Sequence, residues 1–163
     1  YPLRRQRQMC IRDRLGGAAL ADTPAPEDPA LSKLQQMVEN LGYATKLSSD
    51  NQTFSTQWQA VYDYTMIFNI SKGGTLGYVY VKMGSFNPDQ LAKLDYAKLL
   101  EADDVGDFYF SMERQADGKS EKLYANVVLG LGGLSPADLR SLLQAMANRL
   151  DKTSAVWDPS TWK

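Results

Sequence analysis

The segment YDYTMIFNISKGGTLGYVYVKM, residues 62–83, decides the fold. Apolar or aromatic residues alternate with other residues on both sides of Lys72-Gly73-Gly74, which is the pattern of two strands with one buried face. Adjacent glycines accept the positive φ angles that tight hairpin turns need. The segment therefore predicts a β-hairpin.

Segments on both sides of this hairpin carry further strand patterns. Weaker signals predict a short strand pair at 43–47 and 54–58. Stronger alternation at 108–112 and 123–129, with Asp117-Gly118 between them, predicts a second hairpin. Because the turns are short, the sheet is expected to be largely antiparallel.

Three amphipathic helices are predicted, at about 29–41, at about 88–103 and from Ser135 to near Lys152. Each begins where a polar residue is followed by proline, which is the usual order of an N-cap and the first helical residue. In the second helix, a break near Asp95 is an alternative. Each helix needs a surface that covers its apolar side.

The element order α-β-β-β-α-β-β-α predicts an α+β fold, an antiparallel sheet of about five strands with helices packed on one side. A length of 163 residues suits one domain with a single core. This domain is expected at 31–157. A proline-rich disordered leader is expected at 22–30 and a tail at 158–163.

The first 21 residues are expected to lie outside the domain. Residues 1–14 resemble translated sequencing-adapter DNA, on a match at Met9–Arg14, and a natural basic leader is the alternative. Residues 15–21 are small and apolar and end in Ala19-Leu20-Ala21, a pattern that signal peptidase cleaves. An alanine-rich linker is the alternative. The sequence thus predicts a truncated signal peptide and a periplasmic or secreted bacterial protein.

Composition excludes several kinds of site. The sequence has no histidine, and its one cysteine, Cys10, lies in the adapter-like segment, so Ser–His–Asp and Cys–His catalysis and most zinc sites are excluded. Residues 22–163 hold 13 basic and 18 acidic residues, a net charge of −5, which disfavours binding to nucleic acid. No apolar run is long enough for a membrane-spanning helix. We expect no enzyme activity and no cofactor.

Two weaker motifs have structural explanations. The acidic group Glu101, Asp103, Asp104 and Asp107 lacks the spacing and the glycine of an EF-hand calcium loop, so a solvated helix end is expected. The segment Gly130-Leu131-Gly132-Gly133 lacks the Lys-Ser/Thr ending of a phosphate-binding loop, and a turn from strand to helix explains it. Neither motif predicts a metal or nucleotide site.

Four segments resemble the type III secretion chaperone (CesT-like) fold and the related YbjN family. They are LxxMVxxLGY at 34–43, the hairpin IFNISKGGT at 67–75, KLLEADD at 98–104, and LSxxDL at 134–139. The resemblance covers about 30–157 and departs from the usual pattern at Asp103, where asparagine is frequent. It implies a non-catalytic protein that binds other polypeptides, often as a dimer. The apparent signal peptide fits an exported, YbjN-like variant.

Aromatic residues of the first hairpin are the candidate binding surface. If Val79, Val81 and Met83 face the core, Tyr78 and Tyr80 form an exposed cross-strand aromatic surface. Such a surface suits a protein partner, because tyrosine offers a large contact area at little entropic cost. The alternative is that these rings only shield the sheet. The complete set of candidate protein-binding residues is Tyr78, Tyr80, Tyr62, Tyr64 and Trp162.

The predicted function is therefore binding to another protein or to a second copy of the chain, in the manner of a chaperone or regulator. The alternative is an envelope-associated structural or ligand-binding protein with a small-molecule pocket between the helices and the sheet. An unrecognised hydrolase would need a cleft that contains several carboxylates with perturbed pKa values.

Overall fold

The computed structural model describes residues 28–103 and 108–162. The adapter-like and signal segments, most of the predicted leader, and the acidic residues Asp104 and Asp107 lie outside the described residues. The described elements, in chain order, are α1 (Pro29–Asn40), β1 (Thr45–Leu47), β2 (Thr53–Gln59), β3 (Asp63–Ile70), β4 (Leu76–Phe86), α2 (Pro88–Leu91), α3 (Tyr96–Asp103), β5 (Phe108–Arg114), β6 (Glu121–Gly130), α4 (Pro136–Lys152), α5 (Ser154–Trp157) and a 3₁₀ turn (Pro159–Thr161).

The strands form one antiparallel sheet in the order β1-β2-β3-β4-β6-β5. The fold class is as predicted, but the sheet has six strands rather than about five, because both weak segments near residues 43–59 pair. Strand β6 returns to lie beside β4, and β5 forms the outer edge. The second hairpin therefore extends the first hairpin into one continuous sheet.

The second predicted helix is broken into α2 and α3. Asn87 and Gln90 form a reciprocal capping box at the start of α2. The chain leaves the helix at 92–95, and the Asp95 carboxylate accepts a hydrogen bond from the Lys98 amide at 3.2 Å. Asp95 therefore caps a new helix, which is why the break falls at this residue.

The core lies between one face of the sheet and the helices. Alternate sheet residues of one parity are buried against the buried sides of α1, α4 and α5. Phe54 and Phe68 stack across neighbouring strands with ring centroids 4.5 Å apart, and Tyr43 stacks on Trp58 at 4.6 Å. A bulge between Lys82 and Gly84 of β4 shifts the alternation by one residue and brings Phe86 to the same face. Of the described sheet residues that point to the other face, none is buried. The sheet thus has one covered face and one open face.

The C-terminal segment packs on the covered side. The 3₁₀ turn forms within the predicted tail, and Trp162 lies against Phe86 with ring centroids 6.0 Å apart. No described helix has the length and apolar character needed to cross a membrane.

Candidate functional site

Tyr78 and Tyr80 lie on the open face of the sheet. Their neighbours on β4, Val79 and Val81, are 0% and 2% exposed, and side chains alternate between faces along a strand. Tyr80 lies opposite Ile67 on one side and opposite Asn126 on the other. The structure places both rings on the face away from the helices, but half-buried rather than exposed.

Two further tyrosines extend this pair across the sheet. Tyr124 of β6 contacts Tyr80 edge to face, with ring centroids 6.0 Å apart. Tyr109 of β5 lies opposite Asn126 and is 38% exposed. We call Tyr78, Tyr80, Tyr109 and Tyr124 the tyrosine surface. It spans β4, β6 and β5 on the open face.

Polar neighbours fix part of the tyrosine surface. The Tyr124 hydroxyl donates a hydrogen bond to the Glu113 carboxylate at 3.0 Å. The Asn126 amide donates to the Ser111 hydroxyl at 2.8 Å and to the Tyr109 carbonyl at 3.3 Å. These bonds tie β5 to β6 and hold the Tyr124 ring in place.

The hydroxyls of Tyr80 and Tyr124 stay protonated at neutral pH. Burial raises the pKa of Tyr80, and the negative charge of Asp50 raises it further. The pKa of Tyr124 is raised by burial and then by its hydrogen bond to Glu113. These two residues therefore present neutral rings with polar tips, a combination common at protein interfaces.

The other three candidate residues lie on the covered side of the sheet. The Tyr64 hydroxyl donates a hydrogen bond to Asp151 at 2.7 Å, and Tyr64 is only 4% exposed. The Tyr62 hydroxyl donates to Asp158 at 3.2 Å. Trp162 donates its indole N–H to the Val156 carbonyl at 3.1 Å. These side chains attach the C-terminal segment to the sheet and do not join Tyr78 and Tyr80 in one surface.

A cleft separates the two halves of the sheet at one end. Pairing between β3 and β4 reaches Met66 and Val81 and stops there, while β3 continues beside β2 and β4 continues beside β6. The cleft has a volume of about 440 Å³ and is lined by residues of both faces, among them Tyr64, Lys82 and Trp157. The strand patterns in the sequence do not indicate this opening. Gly84, which follows a bulge in β4, is the one local signal for it.

A second, more apolar cavity lies at the opposite end of β4, where α1 meets the β3–β4 turn. Its position between helix and sheet corresponds to the alternative of a small-molecule pocket. Leu34 and Met37 of α1 face Leu131 and Leu134 across it. We refer to it as the α1 cavity.

The weaker motifs have structural roles. Asp103 accepts a hydrogen bond from the Phe110 amide at 2.8 Å, which covers part of the free edge of β5. Ser135 is the N-cap of α4 and forms a reciprocal capping box with Asp138. Within residues 28–103 and 108–162, no group of three or more potential metal ligands from His, Cys, Asp and Glu is present.

No family model matches the sequence, and no curated protein matches it. Among solved structures, the chain is similar to a crystal structure of YbjN from E. coli, described as "a putative transcription regulator". The TM-score is 0.55 at 13% sequence identity, and the alignment covers 76% of this chain and 87% of that chain. The chain has a YbjN-like fold. At this identity, the YbjN likeness shows the architecture alone.

Proposed function

We propose that this chain is a non-catalytic domain that binds another protein through the tyrosine surface. The observation that supports the proposal is the position of Tyr78, Tyr80, Tyr109 and Tyr124 on the open face of a YbjN-like sheet. Tyrosine side chains give large contact areas with few rotatable bonds and are frequent in the energetically important centres of interfaces.

The composition of the open face suits a protein partner. Ile67 and Val128 lie directly opposite Tyr80 and Tyr78 on neighbouring strands and add apolar area, and Asn126 adds a polar group among the rings. Interfaces between proteins commonly have such an aromatic centre with polar neighbours.

The description of E. coli YbjN as a putative transcription regulator is compatible with this proposal. A regulator acts through contacts with proteins as well as with DNA. The net charge of −5 on residues 22–163 disfavours DNA, because phosphate binding needs a surplus of Lys and Arg. We therefore assign a regulator-like or chaperone-like role through protein contacts. The secretion-chaperone resemblance of the sequence suggests the same kind of role.

Cross-linking and capture from cells that express the intact gene would test the partner. We expect the unmodified domain to retain one or a few proteins and the Tyr78→Ala/Tyr80→Ala variant to lose them. Tyr96→Ala is the matched control, since Tyr96 is a 46% exposed tyrosine on α3. Capture that survives the double substitution would show that another surface binds the partner.

A second copy of the chain is the other partner to consider. Sedimentation velocity over a wide concentration range would show a mass increase if the tyrosine surface pairs with itself. The same double variant should then remain monomeric, whereas Tyr96→Ala should not. A monomer at every concentration would leave a different protein as the partner.

We also propose that the domain works outside the cytoplasm. The support is the Ala19-Leu20-Ala21 pattern followed by polar, proline-containing sequence. Residues 15–163 expressed behind the front half of a known signal peptide should be exported and should begin at Asp22, which intact-mass measurement would detect. Ala21→Phe should block cleavage, and cytoplasmic retention of the fusion without this substitution would contradict export.

A further inference from the structure

The α1 cavity has the size and lining of a small-ligand site. Its volume is about 360 Å³, which falls in the range of small-molecule pockets. Its floor and walls are mainly apolar side chains from α1 and from the loop between β6 and α4. The apolar residues that line it are Ala30, Leu34, Met37, Leu131 and Leu134.

Backbone geometry at Gly77 keeps the cavity in place. Gly77 is buried in β4, and a Cβ atom there would lie 3.2 Å from Leu131 Cδ2 and 3.4 Å from Leu34 Cδ2. The Leu131 amide donates a hydrogen bond to the Thr75 carbonyl at 3.0 Å, which joins the two loops at the rim. Glycine inside a strand often marks a close approach of other groups. The absence of a Cβ at Gly77 therefore lets Leu34 and Leu131, two residues that line the cavity, pack closely against β4.

A single positive charge lies at the mouth of this apolar space. Among the described residues, Lys33 is the one charged residue that lines the cavity, and it is exposed. Three carboxylates lie close to the lining residues along the chain, and each already accepts hydrogen bonds. Asp28 accepts from the Ala30 amide at 2.8 Å, Asp138 from the Ser135 hydroxyl at 2.6 Å, and Glu39 from the Thr45 hydroxyl at 2.5 Å and the Gln35 side-chain amide at 3.1 Å. An ammonium group beside an apolar pocket complements an anion that carries a hydrocarbon chain.

We propose that the α1 cavity binds a free, single-chain amphiphile with a carboxylate head, such as a medium-chain fatty acid. The alkyl chain lies between Leu34, Met37, Leu131 and Leu134, and the carboxylate accepts a charge-assisted hydrogen bond from the Lys33 ammonium. This proposal does not rest on the tyrosine surface, so either can fail without the other.

The test is ligand binding to the intact domain, measured by isothermal calorimetry and by thermal stabilisation. The probes are decanoate, decanol and decyltrimethylammonium, each below its micelle concentration. We expect decanoate to bind tightest and to raise the melting temperature, because a ligand that binds only the native state stabilises it. Decanol should bind more weakly, and the cationic probe weakest.

Two substitutions separate the contact of the alkyl chain from the contact of the carboxylate. Met37→Trp should fill the cavity and abolish binding of decanoate and decanol alike. Lys33→Gln should lower the affinity for decanoate by about tenfold and leave the affinity for decanol unchanged. Lys119→Gln, at an exposed turn far along the chain, is the control with the same change in net charge. If Met37→Trp fails to fold, Leu134→Trp serves as the second filling variant.

Several results would overturn the proposal. Equal affinity for decanoate and decyltrimethylammonium would remove the role of Lys33, as would an unchanged decanoate affinity in Lys33→Gln. Decanoate binding by a folded cavity-filling variant would place the ligand elsewhere. The domain could also cosediment with phosphatidylglycerol vesicles. If Lys33→Gln weakens this binding and decanoate does not compete with it, the ligand is a lipid surface, and the proposal of a free amphiphile is wrong.

Discussion

Along β4, Val79 and Val81 are 0% and 2% exposed on the covered face, whereas Tyr78 and Tyr80 between and beside them are only half-buried on the open face. The same strand therefore supplies two surfaces with different physical demands. The covered face must exclude water and fill space without gaps. The open face keeps aromatic rings at the boundary with water, where each retains a polar hydroxyl.

This difference separates residues that determine folding from residues that are available for binding. A side chain removed from the covered face leaves a cavity that its neighbours cannot close. A ring removed from the open face leaves a surface that water can cover. Substitutions that compare the two faces directly therefore test this assignment of roles.

Phe68→Ala should have the largest effect on stability. Phe68 is 0% exposed and stacks on Phe54 with centroids 4.5 Å apart, so its truncation should lower the free energy of unfolding by about 3–5 kcal/mol. Tyr80→Ala, on the open face, should lower it by about 1 kcal/mol. Urea denaturation followed by tryptophan fluorescence measures both. Equal losses would mean that the covered and open faces do not differ in their contribution to stability.

A smaller loss is expected at the contact between α4 and the β2–β3 hairpin. The Asp151 carboxylate accepts hydrogen bonds from the Tyr64 hydroxyl at 2.7 Å and from the Val61 amide at 3.2 Å. Asp151→Ala should cost about 2 kcal/mol of unfolding free energy, and Tyr64→Phe about 1 kcal/mol. The matched control is Asp63→Ala, which removes an exposed carboxylate next to Tyr64.

A double-mutant cycle on Tyr64 and Asp151 checks whether this bond is the cause. If the two losses add without coupling, the hydrogen bond does not stabilise the fold, and packing of the C-terminal segment must explain them. A loss at Asp63 as large as that at Asp151 would indicate a general charge effect.

The strand faces were predictable from the sequence because alternation is a local property. Lys72-Gly73-Gly74 marks the turn, and each side chain's face then follows from its parity. Likewise Asp95 carries the local capping chemistry that breaks the second helix. The chain needs no distant partner to define these features.

Other features depend on contacts between distant parts of the chain. The pairing of β4 with β6, and the cleft where β3 and β4 separate, follow from how the two hairpins meet. The positions of Trp157 and Trp162 depend on α4 and Phe86, so the sequence could not show whether they face a partner or the core. The α1 cavity likewise forms only when two loops lie beside α1.

Alkaline pH should weaken the contribution of the covered Tyr64 to stability. Burial, and then the hydrogen bond to Asp151, raise the pKa of Tyr64 well above its usual value of about 10. Because the folded state holds the proton more tightly, the stabilisation by Tyr64 is complete below the unfolded pKa and is lost as the pH rises above about 10.

The measurement is the difference in unfolding free energy between the unmodified chain and Tyr64→Phe across this range. The difference should be constant below about pH 9 and should shrink above about pH 10, as the unfolded chain releases its proton. The difference in unfolding free energy between Tyr64→Phe and Tyr64→Phe/Asp151→Asn should change little with pH over this range. A difference that stays constant to high pH would contradict the raised pKa of Tyr64.

The smallest expected effect concerns Tyr80 and Tyr124 on the open face, and it tests whether their rings only shield the sheet. Their edge-to-face contact at 6.0 Å should give a coupling of about 0.5–1 kcal/mol in a double-mutant cycle for unfolding. If the coupling is near this value and Tyr78→Ala/Tyr80→Ala loses the captured partner, the main role of these rings is binding. If the coupling is larger and capture is unchanged, the tyrosine surface mainly stabilises the sheet, because the rings then contribute to folding and not to recognition.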